Sequence, residues 1–376
     1  MFLQRVFGKN DGNTARIPSI VATHGGLVCA FANNRIGSAR DDVPESELLA
    51  SVRLADGTWS SPRVIAAHSD WSYIIGSAVA DDVAGKVMCL FSKVAVHENE
   101  FVKKYSPEER FALAAEKEKR DGIKEGFYVM ETTDGINFTE RRISVTPPSG
   151  RVDNWDYFSV VGSTHGSSAG ITLRYGSHAG RLLLPARFSL LPVTEPALLK
   201  TGATNTVIWS DDRGKTFFTG GAVEPGTAEG AVAELPDGRI YYNSRAYFGD
   251  GMRRCAWSDD CGKTFFGQRS VPDLIEPCCN GSLTSFFWRG RYVMLFSNPK
   301  STTERRYMTL SISLDFGESW QTLLKLDDRP AAYSCLAVDE KNERLYLLFE
   351  CGTGNCYEEI DVAEFSLSEL LDSLLD

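Results

Sequence analysis

A chain of 376 residues, 43% hydrophobic and 24% charged, has the balance of an ordinary globular protein and is long enough for a large core. Its formal net charge of −10 argues against nucleic acid or an anionic membrane surface as a partner. No apolar run approaches the ~18 residues of a membrane span, so no membrane span is expected.

The N-terminal stretch Met1–Lys9 lacks the apolar core of a signal peptide, and nothing in it opposes a cytoplasmic location. The nine cysteines follow no framework spacing, and Cys29 and Cys89 sit inside apolar runs, as reduced core thiols do. Reduced cysteines in a cytoplasmic protein are the expectation, with a local Cys351–Cys356 bridge as the alternative.

Along the chain, a turn ending in Gly or a charged residue leads six times into a short apolar run. The runs are Gly26–Phe31, Gly85–Phe91, Gly180–Pro185, Gly238–Tyr242, Gly290–Phe296 and Glu343–Phe349. Runs this short, rich in β-branched and aromatic residues, read as buried strands. Most start 52 to 59 residues apart, which suits a four-stranded propeller blade. The second and third are 95 apart, and that gap holds an insertion. Within it, Ser106-Pro107-Glu108-Glu109 combines an N-cap serine, a proline at the first helical position and a glutamate at the third. A helix is therefore predicted over about 103–122, stopped by Asp121-Gly122.

Between the later runs one motif recurs, S-x-D-x-G-x-[ST]-[FW], at Ser210–Phe217, Ser258–Phe265 and Ser313–Trp320, with starts 48 and 55 residues apart. A decayed copy lies at Thr133–Phe138. The chemistry suits a hairpin turn: the aspartate caps backbone N–H groups, glycine supplies positive φ and the aromatic anchors the loop. Leu367, Leu370, Leu371, Leu374 and Leu375 predict an amphipathic C-terminal helix over about 366–376, packed on the body. Repeats at this period indicate stacked units. The expectation is an all-β, six-bladed β-propeller occupying 1–376 as a single domain, with a helical insertion in the second-to-third blade region and a short C-terminal helix.

A propeller gathers one inner strand from each blade around a central channel, so charged residues at matching places in different blades can converge. Arg16 precedes the first run, Arg35 follows it, and Asp41 and Asp42 lie on the loop beyond. Glu229 precedes the fourth run and Arg245 ends it; Arg305 and Arg306 follow the fifth; Tyr333 precedes the sixth and Glu350 ends it. Arginines, acids and one tyrosine in such places suggest an anionic ligand.

At these residues the chain closely resembles the retaining exo-sialidases (neuraminidases), including animal cytosolic sialidases and trypanosomal trans-sialidases. The resemblance covers essentially the whole chain. It rests on Arg16-Ile17-Pro18, the repeated aspartate box, Glu229-Gly-Ala-Val-Ala-Glu, Asn243-Ser244-Arg245, Ser297-Asn298-Pro299, Ala332-Tyr333-Ser334, and Glu350 followed by Tyr357-Glu358-Glu359. Aspartate boxes alone are weak, since unrelated propellers carry them. The ordered set is specific, with 19 residues from Arg16 to Arg35, 16 from Glu229 to Arg245 and 28 from Arg305 to Tyr333.

The resemblance implies an arginine triad, Arg16, Arg245 and Arg305, gripping the sialic acid carboxylate, with Arg306 an alternative to Arg305. Glu350 matches the acid that holds the first arginine. Tyr333 and Glu229 match the nucleophile and its base. Asp41 matches the general acid/base, with the adjacent Asp42 an alternative, and Arg35 matches a contact near C4.

Two departures stand out. Gly76 lies near the place of a family aspartate that contacts the C4 and N-acetyl region, and Arg187 stands where some relatives have a substrate-contacting tyrosine. The expected function is retaining exo-α-sialidase action on a sialylated oligosaccharide, glycoprotein or glycolipid, with altered recognition around C4 and C5 and with no cofactor or metal. Transfer to another sugar's hydroxyl or to the sialic acid's own hydroxyl (trans-sialidase or intramolecular trans-sialidase action), and a catalytically silent sialic-acid-binding propeller, are the alternatives.

Overall fold

The computed structural model describes residues 2–8, 12–98, 104–146, 168–189 and 199–375. Strand β1 (Phe2–Gly8) precedes β2 (Thr14–Ala22), β3 (Val28–Arg35), β4 (Ser46–Val52) and β5 (Arg63–Ala66). A second group follows: β6 (Ser72–Asp81), β7 (Lys86–Val94), β8 (Gly126–Thr132) and β9 (Thr139–Arg142), trailed by β10 (Ser144–Thr146). The third is β11 (Ile171–Thr172), β12 (Leu182–Ser189), β13 (Ala203–Ser210) and β14 (Thr216–Thr219). The fourth is β15 (Thr227–Glu234), β16 (Ile240–Ala246), β17 (Met252–Ser258) and β18 (Phe266–Ile275). The fifth is β19 (Ser282–Trp288), β20 (Arg291–Pro299), β21 (Met308–Ser313) and β22 (Gln321–Lys325). The last is β23 (Ala331–Asp339), β24 (Arg344–Cys351) and β25 (Glu359–Ser366).

The six apolar runs lie in β3, β7, β12, β16, β20 and β24, each paired antiparallel with the strand before it. The first strands of the groups, β2, β6, β11, β15, β19 and β23, contact one another in turn, and the last returns to the first. The result is an all-β propeller. Its ring is fastened by β1, which pairs with β25 from Phe2↔Glu364 to Gly8↔Glu359 and so completes the final sheet with the start of the chain.

Hydrogen bonding divides the described strands into five sheets, where six separate ones were expected: three of four strands, one of five and one of eight. The eight-stranded sheet arises because β4 and β6 meet in a parallel bridge at Ser46↔Ser72. Side chains tighten that junction, with Ser72 Oγ donating to Val43 O at 2.8 Å and Tyr73 N to Ser46 Oγ at 3.1 Å.

The three aspartate boxes are the turns β13–β14, β17–β18 and β21–β22, and the decayed copy joins β8 to β9. In the first, Asp212 Oδ1 accepts from Lys215 N at 3.0 Å and Thr216 N at 2.9 Å, while Oδ2 accepts from Thr216 Oγ1 at 2.6 Å. Asp260 and Asp315 repeat the bonds to Thr264 and Ser319. Both the residue before the glycine and the glycine itself are left-handed, as at Arg213 (φ 63°) and Gly214 (φ 76°).

Helix α1 (Pro107–Asp121) lies in the β7–β8 connection, with Ser106 and Glu109 forming the capping box and Gly122 the left-handed C-cap. It docks through Trp71 Nε1, which donates to Asp121 at 2.7 Å, and through the Arg110–Glu125 ion pair at 2.9 Å. Helix α2 (Leu367–Leu375) buries Leu367 and Leu371, while Leu374 is half exposed. Trp288 and Arg289 hold its Asp372. All nine cysteines are free thiols, Cys351 and Cys356 included.

Candidate active site

Four of the inner strands break register at the same end. Two residues stand opposite one in β2 (Ile17–Pro18), β6 (Gly76–Ser77), β15 (Ala228–Glu229) and β23 (Ala332–Tyr333). Such a bulge turns a side chain out of the alternation of the strand and re-aims it. In β15 the residue opposite is Arg245, and in β23 it is Glu350. The bulges therefore bring Glu229, Tyr333 and the arginine beside the first bulge, Arg16, to one mouth of the channel.

Tyr333 is the centre of the cluster. Its hydroxyl donates to Glu229 Oε1. Arg245 Nη1 donates to Glu229 Oε2 at 2.6 Å and to the Tyr333 hydroxyl at 3.0 Å. The guanidinium carbons of Arg16 and Arg305 lie 5.8 Å and 5.7 Å from the centre of the Tyr333 ring. Each arginine has its own support. Arg16 Nε donates to Glu350 Oε1 at 2.6 Å, and Glu350, fully buried, also accepts from the backbone N–H of Ile17 and of Tyr333. Arg305 donates to the Tyr357 hydroxyl at 2.8 Å and to Cys278 O at 3.1 Å, and it has no ion pair among the described residues.

The neighbouring loop brings the acid. Arg16 Nη1 and Arg35 Nη1 both donate to Ala39 O, at 3.0 and 2.7 Å, and Arg35 pairs with Asp41 at 2.7 Å. Asp41 is 72% exposed, whereas Asp42 is held by Arg40 in a two-point pair. His97, at the start of the insertion, meets the same loop through Val43 O at 3.0 Å. Arg305 and Arg306 likewise have different partners. Arg306 turns to Asp328 O and the Tyr307 ring, leaving Arg305 in the cluster. Arg187 stands in β12, where its charge reaches Glu229 and Tyr247.

Electrostatics assign different protonation states to the central pair. Burial disfavours the Glu229 carboxylate, but the Arg245 charge and the hydrogen bonds from Tyr333 and Arg245 outweigh it and hold its pKa below the ordinary value. Burial and the Glu229 charge push the Tyr333 phenol well above its ordinary value, against the pull of Arg245 and Arg305. These shifts favour an ionised Glu229 beside a neutral Tyr333. Among the described residues, Arg16, Arg35 and Arg245 pair with three carboxylates, Glu350, Asp41 and Glu229, and Arg305 with none. A cationic pocket in a chain of net charge −10 is built for an anion.

Three contacts were not assigned from the sequence. Tyr357 lies inside the Tyr357-Glu358-Glu359 motif, and Tyr247, whose ring is 5.2 Å from the Arg245 guanidinium carbon, follows Arg245 by two residues. Cys278 has no sequence signal, because its place depends on a turn between β18 and β19. Among the described residues, the one cluster with metal-ligand spacing is Cys351, Glu359 and Asp361, and the Arg329 guanidinium sits against both acids. At the opposite mouth a cavity of about 110 Å³ is lined by Asp82, Arg174, Glu234 and Glu340. Its acids already hold protein partners, so it lacks the chemistry of the first mouth.

The model of the BNR repeat-like domain matches residues 25–347. A sialidase of Micromonospora viridifaciens is 29% identical over 377 residues, covering 95% of this chain and 53% of that protein. This chain therefore spans about half the length of that relative. Among solved structures, the Hadza microbial sialidase Hz136 superposes with a TM-score of 0.70 at 21% identity, over 95% of this chain and 66% of that one. The intramolecular trans-sialidase from Ruminococcus gnavus gives 0.71 at 16% identity, over 98% and 97%. The bulged inner strands, the aspartate boxes and the match of the domain model all lead to one assignment: this chain belongs to the BNR-repeat, sialidase-type propeller family.

Proposed function

We propose that the chain is a retaining exo-α-sialidase that cleaves terminal sialic acid from a sialylated oligosaccharide, glycoprotein or glycolipid. The observation that carries this reading is the convergence of three guanidiniums on a neutral tyrosine already bonded to an ionised glutamate. Arg16, Arg245 and Arg305 grip the carboxylate on the anomeric carbon, a planar fork matching a planar anion. An anionic nucleophile would be repelled there, and a neutral one is not. Tyr333 attacks C2 as its phenolic proton passes to Glu229, and Asp41 protonates the departing glycosidic oxygen. Asp41 then takes a proton from water, which attacks C2. The Tyr333 oxygen leaves and recovers its proton from Glu229, and two inversions give retention. A tyrosine nucleophile departs from the usual two-carboxylate scheme.

The C4 and C5 side of the site is proposed to be altered. The β6 bulge offers Gly76–Ser77 where β15 and β23 offer Glu229 and Tyr333. We also take the eight-stranded sheet as two blades, making six in all. Six inner strands succeed one another round the ring, and β4 meets β6 only at Ser46↔Ser72. An experimental map with β4 and β6 paired along their length would overturn that count.

The test is release of 4-methylumbelliferone from its N-acetylneuraminic acid glycoside by wild type and Tyr333→Phe, with N-glycolyl and deaminated substrates alongside. Turnover by wild type and its collapse in the variant are expected. Product analysis separates hydrolysis, which gives free sialic acid, from transfer. Silence of wild type on all three substrates would sink the enzyme reading.

A further inference from the structure

We propose that Cys278 is a positioning residue of the carboxylate clamp, setting the orientation of Arg245 and Arg305 together; the proposal rests on the sialidase reading above. Arg245 Nε donates to Cys278 Sγ at 3.4 Å, and Arg305 Nη2 donates to the carbonyl of the same residue at 3.1 Å. One residue thus holds two of the three guanidiniums, one through sulfur and one through backbone. With Nε on the sulfur and Nη1 on Glu229 and Tyr333, Arg245 has no partner for Nη2 among the described residues, which leaves it for a ligand.

The turn that carries Cys278 is held firmly enough to impose that geometry. Glu276 and Arg253 form a fully buried pair at 2.9 Å. Glu276 also accepts from Ala246 N at 2.9 Å, the residue next to Arg245, and from Cys279 N at 3.2 Å. Arg253 further donates to Cys279 O at 2.9 Å. The residues flanking Cys278 are therefore tied to the end of β16. Cys278 itself is left-handed, with φ 50°, a conformation that a β-branched side chain resists. That conformation is part of what aims its carbonyl at Arg305.

Three substitutions separate the two contacts. Cys278→Gly keeps the left-handed backbone and the carbonyl but removes the sulfur. Cys278→Ser restores an acceptor for Arg245 Nε, and Cys278→Val disturbs the backbone. KM and kcat are measured on the 4-methylumbelliferyl sialoside, the dissociation constant of N-acetylneuraminic acid by calorimetry, and folding by thermal midpoint. For Cys278→Gly, KM and the dissociation constant should rise about threefold to tenfold, the size of one ordinary hydrogen bond, since sulfur is a weak acceptor, with kcat within about twofold. Cys278→Ser should return both to near wild type, and Cys278→Val should lose more than Cys278→Gly. Wild-type constants in a folded Cys278→Gly, or a serine no better than glycine, would overturn the proposal. A wild type that neither turns over nor binds removes the clamp itself, and then the functional reading fails first.

Discussion

Glu229 receives hydrogen bonds from both Tyr333 and Arg245, so each of its oxygens is engaged before any substrate arrives. A carboxylate held in this way stays ionised to lower pH than usual, as the base proposed for it would need to be. Because its folded pKa is depressed, the ionised form persists above the ordinary value and is lost only as pH falls through the lower folded value. The acid limb of kcat/KM is therefore expected below about pH 4.3, the ordinary glutamate value. Glu229→Gln should cut kcat by about 10²- to 10⁴-fold with little change in KM, as removal of a positioned base does. A pH–rate profile of wild type beside the variant checks both, and an acid limb near pH 6 would assign the base elsewhere.

At the scale of elements, the aspartate box is a cap in a turn. Burial alone would raise the Asp212 pKa, but hydrogen bonds from Thr216, Ser210 and Lys215 bring it down to about 2. A folded value below the unfolded ~3.9 means stability that is present above pH 4 and lost as pH falls towards 2. Asp212→Ala should cost about 1–2 kcal/mol, read as a lower urea midpoint with unchanged slope, and the loss should shrink at pH 3. The boxes, the six apolar runs and both helices were readable in the sequence because each depends on residues within one turn or one short segment. The bulges were not. A register shift between Thr227↔Ala246 and Gly230↔Ser244 is a property of two paired strands, and neither strand alone records it. The same holds for Cys278, for the different partners of Asp41 and Asp42, and for the Ser46↔Ser72 bridge that merged two expected sheets.

Over the whole molecule, the ring is closed by β1. Phe7 is 1% exposed and packs in the cluster that contains Ile20, Leu348 and Val362. Phe7→Ala should cost about 3–5 kcal/mol. The loss should appear as an earlier cooperative transition in which tertiary structure and sialoside turnover fall together; separate transitions would mean that the last sheet opens independently of the site. The four bulges share one end of the ring, and this has a consequence for how the protein can change. A bulge confines its effect to two residues, after which the strand resumes its normal alternation, as β15 does from Gly230 and β23 from Ser334. Exchanging the residue at such a place leaves every buried side chain further along on its own face. The clustered mouth is thus insulated from the core: Ser77 occupies in one strand the place that Glu229 and Tyr333 hold in two others, on the same scaffold.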